Sequence, residues 1–150
     1  LRVENMEKDA GIVIVFGGTN DHGHGDAPLG KIDSRNEETF CGAMNILCEN
    51  LINTFPKSKI IFITPLHKTD EDIERNGFGL RNVATLAGYC DIIKKICSKY
   101  SITVFDAYSE LGINPNLEVQ KNLYMPDGLH PNDAGHEKLA DYIISKLKAM

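Results

Sequence analysis

Three short apolar runs recur along the chain, and each has the composition of a strand in a parallel sheet. Ile12–Phe16 is apolar throughout, Lys59–Thr64 repeats the pattern before Pro65, and Ile102–Phe105 is a shorter third example. A continuous apolar run of this length is typical of a strand that is covered on both faces. We therefore predict three parallel strands, and we do not expect the first of them to lie at a sheet edge.

The segments between these strands carry apolar residues at helical spacing. In the first segment, Phe40, Met44, Leu47 and Leu51 fall on one stripe of a helix. Alternating strands and helices are typical of a parallel sheet with helices on both faces. We therefore predict one α/β domain, a three-layer α/β/α sandwich with a flavodoxin-like sheet. Its main helices are expected over Glu37–Phe55, Asn82–Tyr100 and about Asn132–Lys148.

Three polar segments interrupt this pattern and are predicted to be loops. Gly23–Asn36 and Leu66–Arg81 follow strand ends, where open α/β sheets bind their ligands. The third segment, Asn114–Pro126, is irregular. The carboxyl ends of the strands are therefore the expected location of a functional site.

The overall composition narrows the functional classes. A net charge of −5 over 150 residues argues against nucleic-acid binding, which needs a basic face. No apolar stretch approaches the roughly 20 residues of a membrane span, and no basic start precedes an apolar core as in a signal peptide. We therefore expect neither a nucleic acid nor a membrane as a partner.

The four cysteines are expected to be buried and free. Cys41 and Cys48, like Cys90 and Cys97, are seven residues apart, which on a helix separates the members of a pair by about 10 Å. That distance is too long for a disulfide within a pair, although a bridge between the two helices stays open. Because reduced thiols suit a reducing compartment, we predict a cytoplasmic location.

A carboxylate and an imidazole stand three residues apart near the carboxyl end of the chain. In the string Asp127-Gly128-Leu129-His130-Pro131, a tight turn can hold both side chains on the same side. A carboxylate that accepts from one ring nitrogen fixes the tautomer and leaves the other nitrogen as a base. Alternatively, Asp127-Gly128 is only a turn and His130 is an ordinary loop histidine.

A glycine turn and an amide side chain follow the first predicted strand. Gly17 and Gly18 allow a sharp turn, after which Asn20 can direct its amide into the cleft as a donor to developing negative charge. Alternatively, the segment is simply a good turn sequence. A phosphate-binding role is disfavoured because the loop carries Asp21 and Asp26 and contains no lysine.

Together the two strings resemble the SGNH (GDSL-type) hydrolases, a family of esterases and acylhydrolases. Gly18–Asp21 is similar to the family's third sequence block and Asp127–Pro131 to its fifth, in the same order and at a similar separation. The resemblance implies a Ser-His-Asp ester hydrolase with an α/β/α fold and no need for a metal or other cofactor. It also implies that Asn20 donates to the oxyanion, that His130 is the general base and that Asp127 orients it.

One part of the family's pattern is missing. The nucleophilic serine lies in a Gly-Asp-Ser block near the N-terminus, and a further glycine block before Asn20 supplies a second oxyanion donor; neither block is present. None of the six serines has a suitable context, so we assign no nucleophile. Because the chain also starts at Leu1 and shows no counterpart of the expected central strand, we expect the C-terminal part of a longer hydrolase, inactive by itself. Ile12–Phe16 should then associate with the missing segment or with another copy.

Three functional hypotheses follow for the complete protein. The leading one is hydrolysis of small esters, such as acetyl groups on sugars. The second is a non-catalytic scaffold of the same fold that binds a glycan or a partner. The third and weakest is a flavodoxin-like or receiver-like binding domain.

The remaining histidines receive lesser roles. His22 and His24 are expected to line the rim of the cleft, because a flexible loop is a poor frame for a metal site made with Asp26. His67 follows the second strand and is a candidate for substrate contact. The acidic run Asp70–Arg75 is expected to be a solvated loop or the start of a helix.

Overall fold

A computed structural model of the chain describes residues 2–25, 27–72 and 84–150. A short 3₁₀ helix over Arg2–Asn5 precedes a single sheet, whose strands are β1 (Ile12–Phe16), β2 (Lys59–Ile63) and β3 (Thr103–Phe105). These strands confirm the three apolar runs. The helices in the described residues are α1 (Thr19–His24), α2 (Phe40–Thr54), α3 (Leu86–Lys99), α4 (Ala107–Glu110), α5 (Glu118–Tyr124) and α6 (Asp133–Lys148).

The sheet is parallel, and β2 lies between β1 and β3. In the described residues no other strand pairs with the free side of β1, so its interior position stays a prediction for a sheet with a further strand. Val13 is buried, whereas Ile12, Ile14 and Phe16 are exposed on the opposite face. The described residues thus leave one apolar face of β1, formed by Ile12, Ile14 and Phe16, largely uncovered.

Helices cover the two faces of the sheet and complete three layers. On one face, Leu51 of α2 and Ile96 of α3 belong to the same core as Val13 and Phe62. On the other face, Leu139 of α6 packs in a second core with residues of β2 and β3. This arrangement confirms the predicted α/β class.

The helix boundaries follow local capping. The side chains of Thr39, Thr85 and Asn132 each accept a backbone N–H three residues ahead, and α2, α3 and α6 begin directly after them. The predicted start of the second helix, Asn82, lies outside the described residues. The prediction of an irregular 114–126 stretch is wrong, because α5 forms there; no residue of α5 is buried, so it leaves no apolar stripe in the sequence.

All four cysteines are buried and free, as predicted. They lie on α2 and α3, and burial raises the pKa of Cys90 to about 12. Within the described residues, none of the helices combines the length and the apolar character that crossing a membrane requires.

Candidate functional site

The two chemically distinctive strings reach the same edge of the sheet. β1 leads directly into Gly17–Asn20 at the carboxyl end of the parallel strands. The turn at Asp127 is attached to the loop that follows β2, because the N–H of Thr69 donates to the carbonyl of Gly128 at 2.8 Å. Loops at the carboxyl ends of parallel strands form the binding face of open α/β sheets.

Asp127 and His130 form a hydrogen-bonded pair. Oδ2 of Asp127 is 2.7 Å from Nδ1 of His130, and Oδ1 accepts the backbone N–H groups of His130 and Leu129 at 2.7 and 2.8 Å. These bonds, the backbone bond from His130 first, hold the pKa of Asp127 well below its usual range. With Nδ1 turned to the carboxylate, Nε2 is the ring nitrogen that stays available, and it hydrogen-bonds none of the described residues.

Glycine makes the turn that brings these two side chains together. Gly128 has φ of +78°, and a Cβ at that position would lie 2.6 Å from the side chain of Thr69. A side chain is therefore excluded there both by backbone conformation and by contact. The resulting pair is open to solvent, with 75% of the His130 side chain and 56% of the Asp127 side chain exposed.

The turn that carries Asp127 and His130 is held between two helices. The N–H of Asn132 donates to the carbonyl of Tyr124 at the end of α5, at 2.8 Å. The side chain of Asn132 caps α6 by accepting from the N–H of Gly135 at 3.0 Å. His130 is thus two residues from a junction that both helices fix.

Asn20 is exposed and lies in the first turn of α1. The chain reaches it through Gly18, whose φ is +105° and whose added Cβ would lie 3.1 Å from Ile93 and 3.2 Å from Pro65. Residues 16–21, which include Asn20, line an open surface pocket. Among the described residues, no hydrogen bond joins Asn20 to Asp127 or His130, so their cooperation stays a prediction.

The described residues contain no serine–histidine pair. All six serines lie within them, and none hydrogen-bonds His130. The hydroxyl groups of Ser58 and Ser145 donate to backbone carbonyls instead. The assignment of no nucleophile within this chain stays a prediction.

One of the other histidines, His22, differs from its predicted position. His22 is fully buried and contacts Tyr89 edge-to-face at 5.9 Å, so its predicted place at the cleft rim is wrong. The reason is that α1 turns this residue toward α3, whereas His24 remains exposed. Asp26, the third residue of the metal hypothesis, lies outside the described residues. Among the residues that are described, no group of three or more metal-binding side chains occurs.

Sequence reasoning missed the carboxylate that pairs with His67. Glu71 is buried, and its carboxylate lies 2.8 Å from Nδ1 of His67. The prediction of a solvated acidic run is therefore wrong at Glu71, while residues 73–75 lie outside the described residues. The four-residue spacing of His67 and Glu71 was a visible signal for the pair, but nothing local indicated burial.

Comparison with known proteins assigns this architecture to an established group. The family model of the GDSL-like Lipase/Acylhydrolase family matches residues 2–138. The "Multidomain esterase" of Ruminococcus flavefaciens is 28% identical over 140 residues. That match includes 91% of this chain but only 15% of the esterase, so the chain corresponds to a small part of its curated relative.

Solved structures share the fold. A Lactobacillus plantarum protein is 29% identical and superposes with a TM-score of 0.86, over 99% of this chain and 72% of its own. An acetyl xylan esterase from Geobacillus stearothermophilus is 22% identical with a TM-score of 0.55, over 89% of this chain and 58% of its own. At that lower identity, the second likeness shows the fold alone.

Proposed function

Because the chain belongs to the GDSL-like lipase/acylhydrolase family, we propose that it carries the base and oxyanion side of a serine ester hydrolase. The single observation that carries the proposal is the Asp127–His130 pair, whose imidazole is held at Nδ1 and free at Nε2. Asn20, at the same edge of the sheet, supplies an exposed amide donor. The nucleophilic serine comes from a segment outside this chain.

The reaction proceeds through two acyl transfers. His130 Nε2 takes the proton of the serine hydroxyl while the serine oxygen bonds to the ester carbonyl carbon. The carbonyl oxygen becomes an oxyanion, to which the Asn20 amide donates a hydrogen bond. The carbon–oxygen bond to the alcohol then breaks, and His130 returns the proton to the departing alcohol. The same imidazole then takes a proton from water, whose oxygen bonds to the acyl carbon. The bond from that carbon to the serine oxygen breaks, the acid leaves, and the imidazolium returns its proton to the serine.

The proposed substrate is a small ester, with an acetyl group on a carbohydrate as its most specific form. The name of the multidomain esterase supports an ester as the substrate class.

The oxyanion role of Asn20 is tested by Asn20→Ala in the full-length gene product. We expect kcat for p-nitrophenyl acetate to fall by about 10²–10³-fold, the usual cost of removing one oxyanion donor. The matched control is Asn53→Ala, an exposed asparagine on α2, which should leave kcat unchanged. Turnover by Asn20→Ala equal to that of the control would refute the oxyanion role.

A binding module without catalysis is the second candidate, and it is favoured by the lack of any serine beside His130. The chain of 150 residues, taken alone, should then bind a glycan or partner without forming an acyl-enzyme. An initial burst of p-nitrophenol from this chain would show that it holds its own nucleophile, and both the serine assignment and this candidate would fail.

We propose a reducing, cytoplasmic setting for the domain. Its support is the set of four free, buried cysteines. Thiol titration of the unfolded protein purified without reductant should find four thiols, whereas two would indicate a disulfide between α2 and α3.

A further inference from the structure

A second histidine–carboxylate pair lies in the loop that follows β2 and has no part in the acyl transfer described above. Both carboxylate oxygens of Glu71 face Nδ1 of His67, at 2.9 and 2.8 Å. The Glu71 side chain is only 7% exposed, whereas 21% of the His67 side chain is exposed. The carboxylate is therefore enclosed, and the imidazole that it holds keeps an open edge.

Several segments of the chain fix this pair. Glu71 also accepts the side-chain amide of Asn116 at 3.0 Å and the backbone N–H of Lys68 at 3.3 Å. The ring of Tyr108 lies against the ring of His67 with centroids 3.9 Å apart. Burial, and then the charge of Glu71, raise the pKa of Tyr108 to about 12, so this neighbour stays neutral. A histidine that serves only as a solvated surface residue does not need a buried carboxylate or a stacked ring to hold its imidazole in place.

The support also determines which ring nitrogen is free. Since Nδ1 carries the proton donated to Glu71, the neutral ring presents Nε2 as an acceptor. Nε2 makes no hydrogen bond to any residue that the structure describes. A preorganised acceptor of this kind loses little further entropy when it binds a ligand.

One hydrogen bond joins the loop that carries His67 and Glu71 to the turn that carries His130. Thr69, two residues after His67, donates its N–H to the carbonyl of Gly128, which lies two residues before His130. Peptide geometry then limits the Cα separation of the two histidines to about 20 Å. The two histidines therefore belong to one group of hydrogen-bonded loops at the carboxyl ends of the strands.

We propose that His67 is a substrate-binding residue whose Nε2 accepts a hydrogen bond from a hydroxyl of the alcohol half of the ester. The inference rests on the proposed esterase function and deepens it, since it assigns a polyhydroxylated, sugar-like leaving group. A site built to bind a hydroxyl discriminates against analogues that lack one, because its polar group then stays unpaired.

The test compares two acetyl esters in the full-length gene product. One is a mono-O-acetylated methyl xyloside, which retains free hydroxyls, and the other is p-nitrophenyl acetate, which has none. His67→Asn keeps an amide donor toward Glu71 but removes Nε2. We expect its kcat/KM on the glycoside to fall about tenfold further than on p-nitrophenyl acetate, mainly through KM.

His136→Asn is the matched control, because His136 is exposed on α6 and its side chain has no contact in the site. It should leave both rates unchanged. Equal losses of His67→Asn on the two esters would mean that His67 is only structural. No loss on either ester would likewise overturn the proposal.

A binding measurement separates this proposal from the esterase proposal. In the 150-residue chain, the ¹⁵N resonance of His67 Nε2 should shift saturably on addition of unacetylated methyl xyloside, and the shift should be absent in His67→Asn. If the full-length protein hydrolyses neither ester while this response persists, the esterase proposal fails and the hydroxyl site stands. Ester hydrolysis without the response overturns the hydroxyl site alone.

Discussion

At the scale of single residues, the two histidine–carboxylate pairs differ in how they are stabilised. Asp127 is exposed, so its attraction to His130 is screened by water and is weak as an ion pair. What orients it is the pair of backbone N–H groups that occupy its other oxygen. Glu71 is enclosed and is oriented by side chains from distant segments. The exposed pair is therefore suited to proton transfer, and the enclosed pair to holding a fixed acceptor.

Asp127→Asn tests the orienting role directly. The amide retains an oxygen for the backbone N–H groups but presents an NH₂ to Nδ1, which favours the tautomer with the proton on Nε2. We expect kcat on p-nitrophenyl acetate to fall by about 10³–10⁴-fold, and labelling by a fluorophosphonate to slow similarly. Asp141→Asn, an exposed aspartate on α6, is the control. A rate within a few-fold of the control would exclude an orienting role.

The sequence predicted one histidine pair and missed the other for a physical reason. Asp127 and His130 meet inside one turn, so their spacing and the glycine between them carry the whole geometry. Glu71 is held by Asn116 and approached by Tyr108, which come from segments about 40 residues away along the chain. No local pattern encodes such an approach. The buried position of His22 was missed for the same reason, because it depends on contact with Tyr89.

At the scale of elements, the position of His130 depends on how α5 meets α6. A Cβ on Gly135, in the first turn of α6, would lie 2.5 Å from the carbonyl oxygen of Tyr124 and 2.9 Å from Cβ of Pro131. Only glycine allows α6 to approach the end of α5 this closely. Because the helices are this close, Asn132 can donate its backbone N–H to Tyr124 and at the same time cap α6 with its side chain.

Gly135→Ala should therefore push the two helices apart. We expect a loss of about 1–3 kcal/mol in the free energy of unfolding, the usual cost of overpacking, and a lower kcat on p-nitrophenyl acetate because His130 moves. Gly23→Ala is the matched control: Gly23 lies in helix α1 with nothing within 4 Å of the added Cβ, so stability should hold or rise. Urea unfolding of both variants measures the difference. Equal stability of the two would contradict this account of the junction.

Helices with a buried row of apolar side chains could be predicted from the sequence, and helices without such a row could not. α6 was placed within one residue, because Asn132 caps it and Leu139 belongs to its buried side. α5 was missed because all its residues stay outside the core, and α1 because its six residues are too few to show a period. Helix α1, which carries Asn20, and helix α5, which precedes the Asp127 turn, are therefore not revealed by a periodic pattern of apolar residues.

At the scale of the whole molecule, the layers are unevenly covered. α2 and α3 enclose one face of all three strands, but on the opposite face the second core involves β2 and β3. Ile12, Ile14 and Phe16 of β1 stay 50%, 43% and 49% exposed there. β1 is also one of the two edge strands of the described sheet, with β3 at the other edge. An apolar face beside an open edge favours association with another strand.

We therefore predict that the 150-residue chain self-associates through β1. Light scattering after gel filtration should give a mass above 16.6 kDa that rises with concentration. Ile14→Lys places a charge at the centre of the exposed face and should shift the protein toward the monomer, since burying that charge on association is unfavourable. Val119→Lys on α5 is the control, because Val119 is the most exposed large apolar residue described, at 77%, and lies far from β1 in the chain. A wild-type chain that stays monomeric at high concentration, or a control that dissociates equally, would rule out β1 as the surface responsible.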